Sequence, residues 1–242
     1  MPSKSILSTI FVAASFMLNA QNLVRLKYPE TLKVDQQDEY FGTMVKDPYR
    51  WLEDDNDQKV KEWVIAQNKV TQNYLAQIPF REKIRNRLTD LVNYPRYTAP
   101  SRKGEYYIFS RNSGLQNQPV FYVQKGLDGT PLEIVDPNKI STDGTAAVTI
   151  EGGSKDGKYV IYTVAQAGGD WQDIGVIELA SQKVIADKIS WVKFPSPQWH
   201  GNGFYYSGYK QPEKGKEFAS KNEYQRIYYH KLGDPQQKDA LI

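Results

Sequence analysis

The sequence predicts a mainly β protein with an N-terminal α-helical segment, its β part being a partial β-propeller of about three blades. Three observations predict it. An apolar stripe of helical period runs from Val60 to Ile78, short alternating strands take over after Tyr94, and a glycine-bearing turn recurs among those strands at blade-like spacing. With 242 residues, 40% hydrophobic and 24% charged, the chain can bury a sizeable core without a metal or disulfide.

In chain order, residues 1–20 read as a signal peptide. Lys4 is followed by the apolar run Ile6–Leu18, and Ala20 is a small residue at the cut. A run of thirteen residues is too short for a spanning helix, which needs about twenty. The expected mature protein starts at Gln21, is periplasmic or secreted, and has no membrane attachment once the signal is removed.

Residues 21–92 form the extended and helical segment. Tyr28 to Tyr40 has no sustained period and reads as extended or irregular. Pro48 pushes Asp47 out of the helical region, so a turn is expected there. From about Asn56, the residues Val60, Trp63, Val64, Gln67, Thr71, Tyr74, Leu75 and Ile78 follow helical spacing up to Pro79. Asp54, Asp55 and Asp57 stand at its start, where carboxylates cap free N–H groups. A calcium loop would want a glycine at its sixth position and a glutamate at its twelfth; both are missing, so capping is preferred and no metal site is expected. A second helix begins near Phe80, with Ile84, Leu88 and Leu91 on one face. Arg81, Lys83, Arg85 and Arg87 lie on or beside the other, as a solvated or partner-facing surface.

Residues 93–242 carry the strands. One cycle holds 105–110, 119–123 and 133–135; a second holds 158–164, 173–178 and 183–186; a third holds 203–208 and 226–230. Ser101-Arg-Lys-Gly104 and Ser154-Lys-Asp-Gly157 each lead into an aromatic strand, and Trp199-His-Gly-Asn-Gly203 is a looser copy. The marker glycines are 53 and 46 residues apart. A single sandwich would explain the alternation but not this recurring turn. Three blades use the chain to its end, whereas a closed propeller needs at least four.

The composition narrows the chemistry. Lys+Arg 31 against Asp+Glu 28 gives +3, with the basic residues scattered, so nucleic acid is not an expected partner. Zero cysteines exclude disulfides, thiolate metal sites and cysteine nucleophiles, and two histidines nearly exclude a multi-histidine metal site. No Gly-x-Ser-x-Gly elbow, phosphate loop, dinucleotide fingerprint or zinc helix occurs; Gly152-Gly153-Ser154 lacks the trailing glycine. His200 in a turn and His230 in a strand read as structural or exposed. No residue is assigned a catalytic, cofactor-binding or metal-binding role.

Several motifs together resemble one family. Tyr28-Pro29, Asp47-Pro-Tyr-Arg-Trp-Leu-Glu-Asp54, Gly114-Leu-Gln-Asn-Gln118, Asp136-Pro-Asn138, Ser141-Thr-Asp-Gly-Thr145, Gly168-Gly-Asp-Trp171 and Tyr229-His-Lys-Leu-Gly233 resemble the N-terminal portion of prolyl oligopeptidases. The resemblance implies a serine peptidase that cleaves short peptides after proline, with an α/β-hydrolase domain and a seven-bladed propeller that screens substrates by size. It further implies that the early helices pack on the hydrolase domain, and that the triad lies in a C-terminal portion this chain does not reach. None of the triad maps onto a residue here, and neither histidine sits at a matching position. The expected partners are therefore the missing hydrolase domain and, in the complete enzyme, proline-containing peptides. The chain alone is expected to be inactive. Family members often carry a substrate-facing aromatic where this chain has Gly153, which departs from the pattern. The alternative is a secreted, non-enzymatic binding module that pairs with another polypeptide through a blade edge.

Overall fold

A computed structural model describes residues 26–54, 56–217 and 221–242. The expected signal peptide and Asp55 lie outside the described residues. The chain divides into two compact units, residues 1–82 and 83–242. No described helix is long and apolar enough to cross a membrane.

In the first unit, β1 (Gln37–Tyr40) and β2 (Thr43–Lys46) form a hairpin where the sequence suggests only irregular chain. Its turn is Phe41-Gly42, with both residues at positive φ (49° and 80°). Phenylalanine is not a residue that announces such a turn, so the hairpin carried no Asn-Gly or Asp-Gly signal. After the Pro48 turn come a 3-10 turn (Arg50–Glu53) and α1 (Gln58–Ala76). α1 begins where the sequence places it because the Asp57 carboxylate accepts from the Lys59 amide at 2.7 Å. Asp54 likewise accepts from the Asn56 amide at 3.0 Å. The helix ends three residues before Pro79 and buries Val60. The Trp63 indole donates to Thr31 Oγ1 at 3.0 Å and the Gln67 amide to the Pro29 carbonyl at 3.3 Å, so the extended segment lies along the helix. α2 (Arg81–Val92) follows, all but its first two residues belonging to the second unit, and none of its residues is buried, including the stripe Ile84, Leu88 and Leu91.

The strands of the second unit form three antiparallel sheets, each a blade in sequence order. The first contains β3 (Arg96–Tyr97), β4 (Ser101–Lys103), β5 (Tyr106–Asn112), β6 (Val120–Lys125) and β7 (Leu132–Val135). β3 and β4 both pair with β5. At the break between them, Thr98 Oγ1 accepts from the Ser110 amide at 2.8 Å, taking the place of a ladder carbonyl. A single-turn helix, α3 (Pro137–Ile140), leads out, capped by the Asp136 side chain. The second blade is β8 (Ala147–Gly153), β9 (Tyr159–Ala165), β10 (Trp171–Glu178) and β11 (Lys183–Lys193). The third is β12 (Gln198–His200), β13 (Gly203–Gly208), β14 (Arg226–Lys231) and β15 (Ala240–Leu241), with a 3-10 turn at Gln236–Lys238.

The fold class is thus mainly β with an N-terminal helical segment, and the described sheets do not close on themselves, as a partial propeller requires. Alternation along β9 and β10 explains the stacking. Val160, Ile177 and Leu179 of the second blade pack with Ile108, Val123, Ile134 and Val135 of the first. On the opposite face Ile161, Ile174, Val176, Ile189 and Val192 pack with Phe204 and Tyr206 of the third. Neighbouring residues on one strand therefore serve two different blade interfaces.

Two of the recurring turns behave as expected. Gly104 (φ +62) and Gly157 (φ +69) are left-handed and touch, and a Cβ on Gly157 would stand 2.9 Å from the Gly104 Cα. The third differs. His200 ends strand β12, and Gly201, not Gly203, takes the positive φ (+57). Gly203 lies inside β13, where a Cβ would stand 2.8 Å from the Tyr229 hydroxyl; it is glycine for packing room.

Candidate functional site

The Asp47–Asp54 motif builds a charge cluster. The Arg50 guanidinium bonds Asp38 of β1 and Asp47 (2.7 Å) and stands 3.4 Å from Glu53. The hydrogen bond from Arg50 holds the Asp47 carboxyl below the usual carboxylate range. The Asp47 Oδ1 accepts from the Tyr49 amide at 3.3 Å, and the Trp51 indole donates to the Leu32 carbonyl at 2.9 Å. Among the described residues the polar partners of the motif lie within residues 32–57, so the motif folds its own segment and shows no reacting group.

Ser154, the serine nearest to an elbow pattern, serves a turn. Its hydroxyl donates to Asp156 at 2.6 Å and accepts from the Lys158 and Tyr159 amides. At Gly153, where a Cβ would fall 2.8 Å from the Lys103 Cδ, the Lys103 stem crosses from the first blade.

The two histidines fare differently. His200 is exposed, its ring 5.6 Å from that of Tyr205 and 6.4 Å from that of Tyr229. His230 is fully buried: Nδ1 lies 2.7 Å from Asp239 Oδ1 and Nε2 lies 3.1 Å from Asp187 Oδ2. A ring that donates from both nitrogens satisfies both carboxylates. Asp187 also accepts from the Gly233 amide at 2.7 Å, and Asp239 from the Tyr206 hydroxyl at 2.7 Å. Burial, and then the Asp239 carboxylate, push the Tyr206 hydroxyl well above the usual tyrosine range. Both ring nitrogens are taken up by carboxylates and the ring is closed to solvent, so it has no free nitrogen with which to act as a general base, and the Tyr206 hydroxyl that shares Asp239 is itself bonded to that carboxylate. The ring joins β11 of the second blade to β14 of the third. Sequence reasoning placed His230 in a strand but missed both aspartates, which lie 43 residues before it and nine after. Among the described residues no group of three or more His, Asp or Glu side chains is placed to hold a metal.

Clefts follow the blades. One of about 200 Å³ lies between the inner strands of blades one and two, lined by Thr98, Lys103, Ile108, Phe121, Ile150 and Glu151. Another of about 420 Å³ runs along the outer strands of blade two, lined by Ile140, Tyr162, Val164, Gly175 and Lys188 among others. These walls can hold or pass a ligand; no nucleophile–base pair stands in either.

The chain matches the family model "Prolyl oligopeptidase, N-terminal beta-propeller domain" over residues 29–242. It is 42% identical over 238 residues to a prolyl endopeptidase of Elizabethkingia meningoseptica, covering 98% of this chain and 34% of that one. A solved prolyl endopeptidase aligns with TM-score 0.74 and 30% identity over 89% of this chain and 32% of the other. Prolyl oligopeptidase B from Galerina marginata, solved with a 35mer hydrolysis and macrocyclization substrate, aligns with TM-score 0.67 and 29% identity over 89% and 33% of the two chains. The chain therefore spans about a third of the length of the relatives it matches.

Proposed function

The chain belongs to the prolyl oligopeptidase family, and from that premise we propose that residues 93–242 are the first three blades of a propeller that admits short peptides to a peptidase cleaving after proline. The carrying observation is the family match through residues 29–242, joined to three successive antiparallel sheets in blade order. In this reading hydrolysis belongs to an α/β-hydrolase domain, and the uncovered stripe of Ile84, Leu88 and Leu91 on α2 is a surface for that domain. The propeller's part is steric: interior width sets which peptides reach the reacting groups.

The test is an assay of the isolated 242-residue chain beside the full-length protein on a chromogenic Gly-Pro substrate. The full-length protein should cleave after proline, and the isolated chain should not. Cleavage by the isolated chain would overturn the division of labour, and no post-proline cleavage by the full-length protein would overturn the activity. Export is a further part of the proposal, supported by the Ile6–Leu18 run. The N-terminal sequence of the purified natural protein should begin at Gln21, and a start at Met1 would refute it.

A further inference from the structure

The two blade interfaces are matched in apolar content and unmatched in everything else. Each is built on seven buried hydrophobic residues. Across the second–third interface run polar bonds along its whole length. The Trp199 indole donates to the Gly152 carbonyl (3.1 Å) at the inner strands. The Tyr209 amide donates to the Trp191 carbonyl (3.0 Å), the Trp171 indole to the Glu217 carbonyl (2.6 Å), and the Lys193 ammonium to Asn222 (2.8 Å). At the outer strands His230 and the Gly233 amide both reach Asp187. The Gln236 side-chain amide pairs with both the N–H and the C=O of Ser190 (3.1 and 3.0 Å), filling the place of a further strand on the β11 edge.

Across the first–second interface no hydrogen bond or ion pair connects the described strands of the two blades; the bond nearby runs from the Gln118 side-chain amide to the Gly144 carbonyl (3.3 Å), in the segment that leads into β8. Its near contact is the bare Gly104–Gly157 backbone pair. The 200 Å³ cleft sits at its inner end, and the 420 Å³ cleft, with Ile140 at its rim, opens beside its outer end. Cavities remove dispersion partners, and each bond on the other side must be broken for those blades to part.

We infer that the interface between blades one and two is the joint at which this assembly opens, while blades two and three move as one body. The inference concerns the blades' mechanics and stands whether or not the proposed peptidase activity does. Its consequence is a lateral gap, walled by Val160 and Ile177 on one side and Ile108 and Val123 on the other, through which the propeller interior meets solvent.

Adjacent residues on one strand give the test. Val160 and Ile161 are both fully buried on β9, the first facing blade one and the second facing blade three; Ile177 and Val176 repeat the arrangement on β10. Single V160C and I161C variants of the full-length protein are exposed to a maleimide under native conditions, and mass spectrometry reads the label on the peptide spanning residues 159–183. V160C should label at least tenfold faster than I161C. Equal rates, or a faster I161C, would overturn the inference. The I177C and V176C pair repeats the comparison should a β9 variant fail to fold. In a Q236A background, I161C labelling should rise towards that of V160C; an unchanged rate would refute the clamp as the cause.

Discussion

Replacing Asp187 by alanine tests whether the second and third blades are held by named polar groups or by apolar packing alone. The side chain is 5% exposed and accepts two bonds, from His230 Nε2 and from the Gly233 amide. Alanine leaves both donors buried without an acceptor, a cost of about 1–3 kcal/mol for each unsatisfied group. Because His230 would also lose one of the two carboxylates that flank it, the sum is roughly 3–5 kcal/mol, the range for breaking a buried pair. Asparagine is the control. Both donors reach the same oxygen, Oδ2, and an asparagine carbonyl in that place has two lone pairs to accept from them, so D187N should lose the carboxylate charge but keep both bonds and cost clearly less than D187A. Urea unfolding followed by tryptophan fluorescence reads both variants. With a slope of about 2–3 kcal/mol/M, D187A should lower the midpoint by about 1–2.5 M with the slope unchanged. A D187A midpoint within about 0.2 M of the parent's would refute the reasoning. So would a D187N loss equal to that of D187A.

Three other outcomes follow from single contacts. G157A puts a Cβ 2.9 Å from the Gly104 Cα at φ +69; it should cost about 1–3 kcal/mol in urea unfolding, whereas S154A, outside that contact, should cost less. D57A removes the acceptor for the Lys59 amide; it should lower stability by about 1 kcal/mol, with D57S recovering most of it. For Tyr206, burial and the Asp239 carboxylate keep the proton on above the ordinary tyrosine pKa of 10.0. Stability is then fully present below the unfolded tyrosine pKa and falls as the pH rises from about 10 towards the raised folded value. Y206F should flatten that alkaline slope in pH-dependent urea midpoints.

What the sequence makes legible is what depends on neighbours along the chain. The helical stripe and Asp57 cap place α1 within two residues at each end, and eight strands lie where alternation puts them. The unread parts depend on distant partners. β11 reads as ending near Ala186, because Asp187-Lys188 interrupts its apolar run; it continues to Lys193 because His230 and Gly233 receive the aspartate. The inner strands β4, β8 and β12 are short or rich in glycine and polar residues, so alternation alone does not show them. Gly203 reads as a turn glycine because glycine carries two meanings, positive φ and packing room, and the His230 carbonyl and Tyr229 ring across the sheet decide between them. The absence of an assigned catalytic residue followed from motifs missing in the sequence. The buried His230 cluster was hidden because Asp187 stands 43 residues before the histidine, on another blade, and no motif ties it to Asp239.

The third blade carries an argument of its own about what surrounds it. On β13, Phe204 and Tyr206 are buried against the second blade, and strict alternation would make Tyr205 and Ser207 a solvent face. Yet Tyr205 packs on Tyr229 at 5.1 Å, and Ile227 beside them on β14 is 55% exposed. The first blade repeats this on its outward face, where Phe109 stacks on Tyr122 at 5.8 Å and Arg111 covers the Tyr122 ring at 4.9 Å. Strands that are aromatic in both phases are those of a sheet covered on both sides, and a sheet with one wet face alternates with polar residues instead. Both outward faces are therefore written as interior faces. That supports the proposed reading of the blades as members of a longer circular stack, on grounds independent of any match to a relative. In that reading the outward faces are covered whether the proposed joint between blades one and two is shut or open, so the proposed opening is a hinge within a ring and not the shedding of a blade.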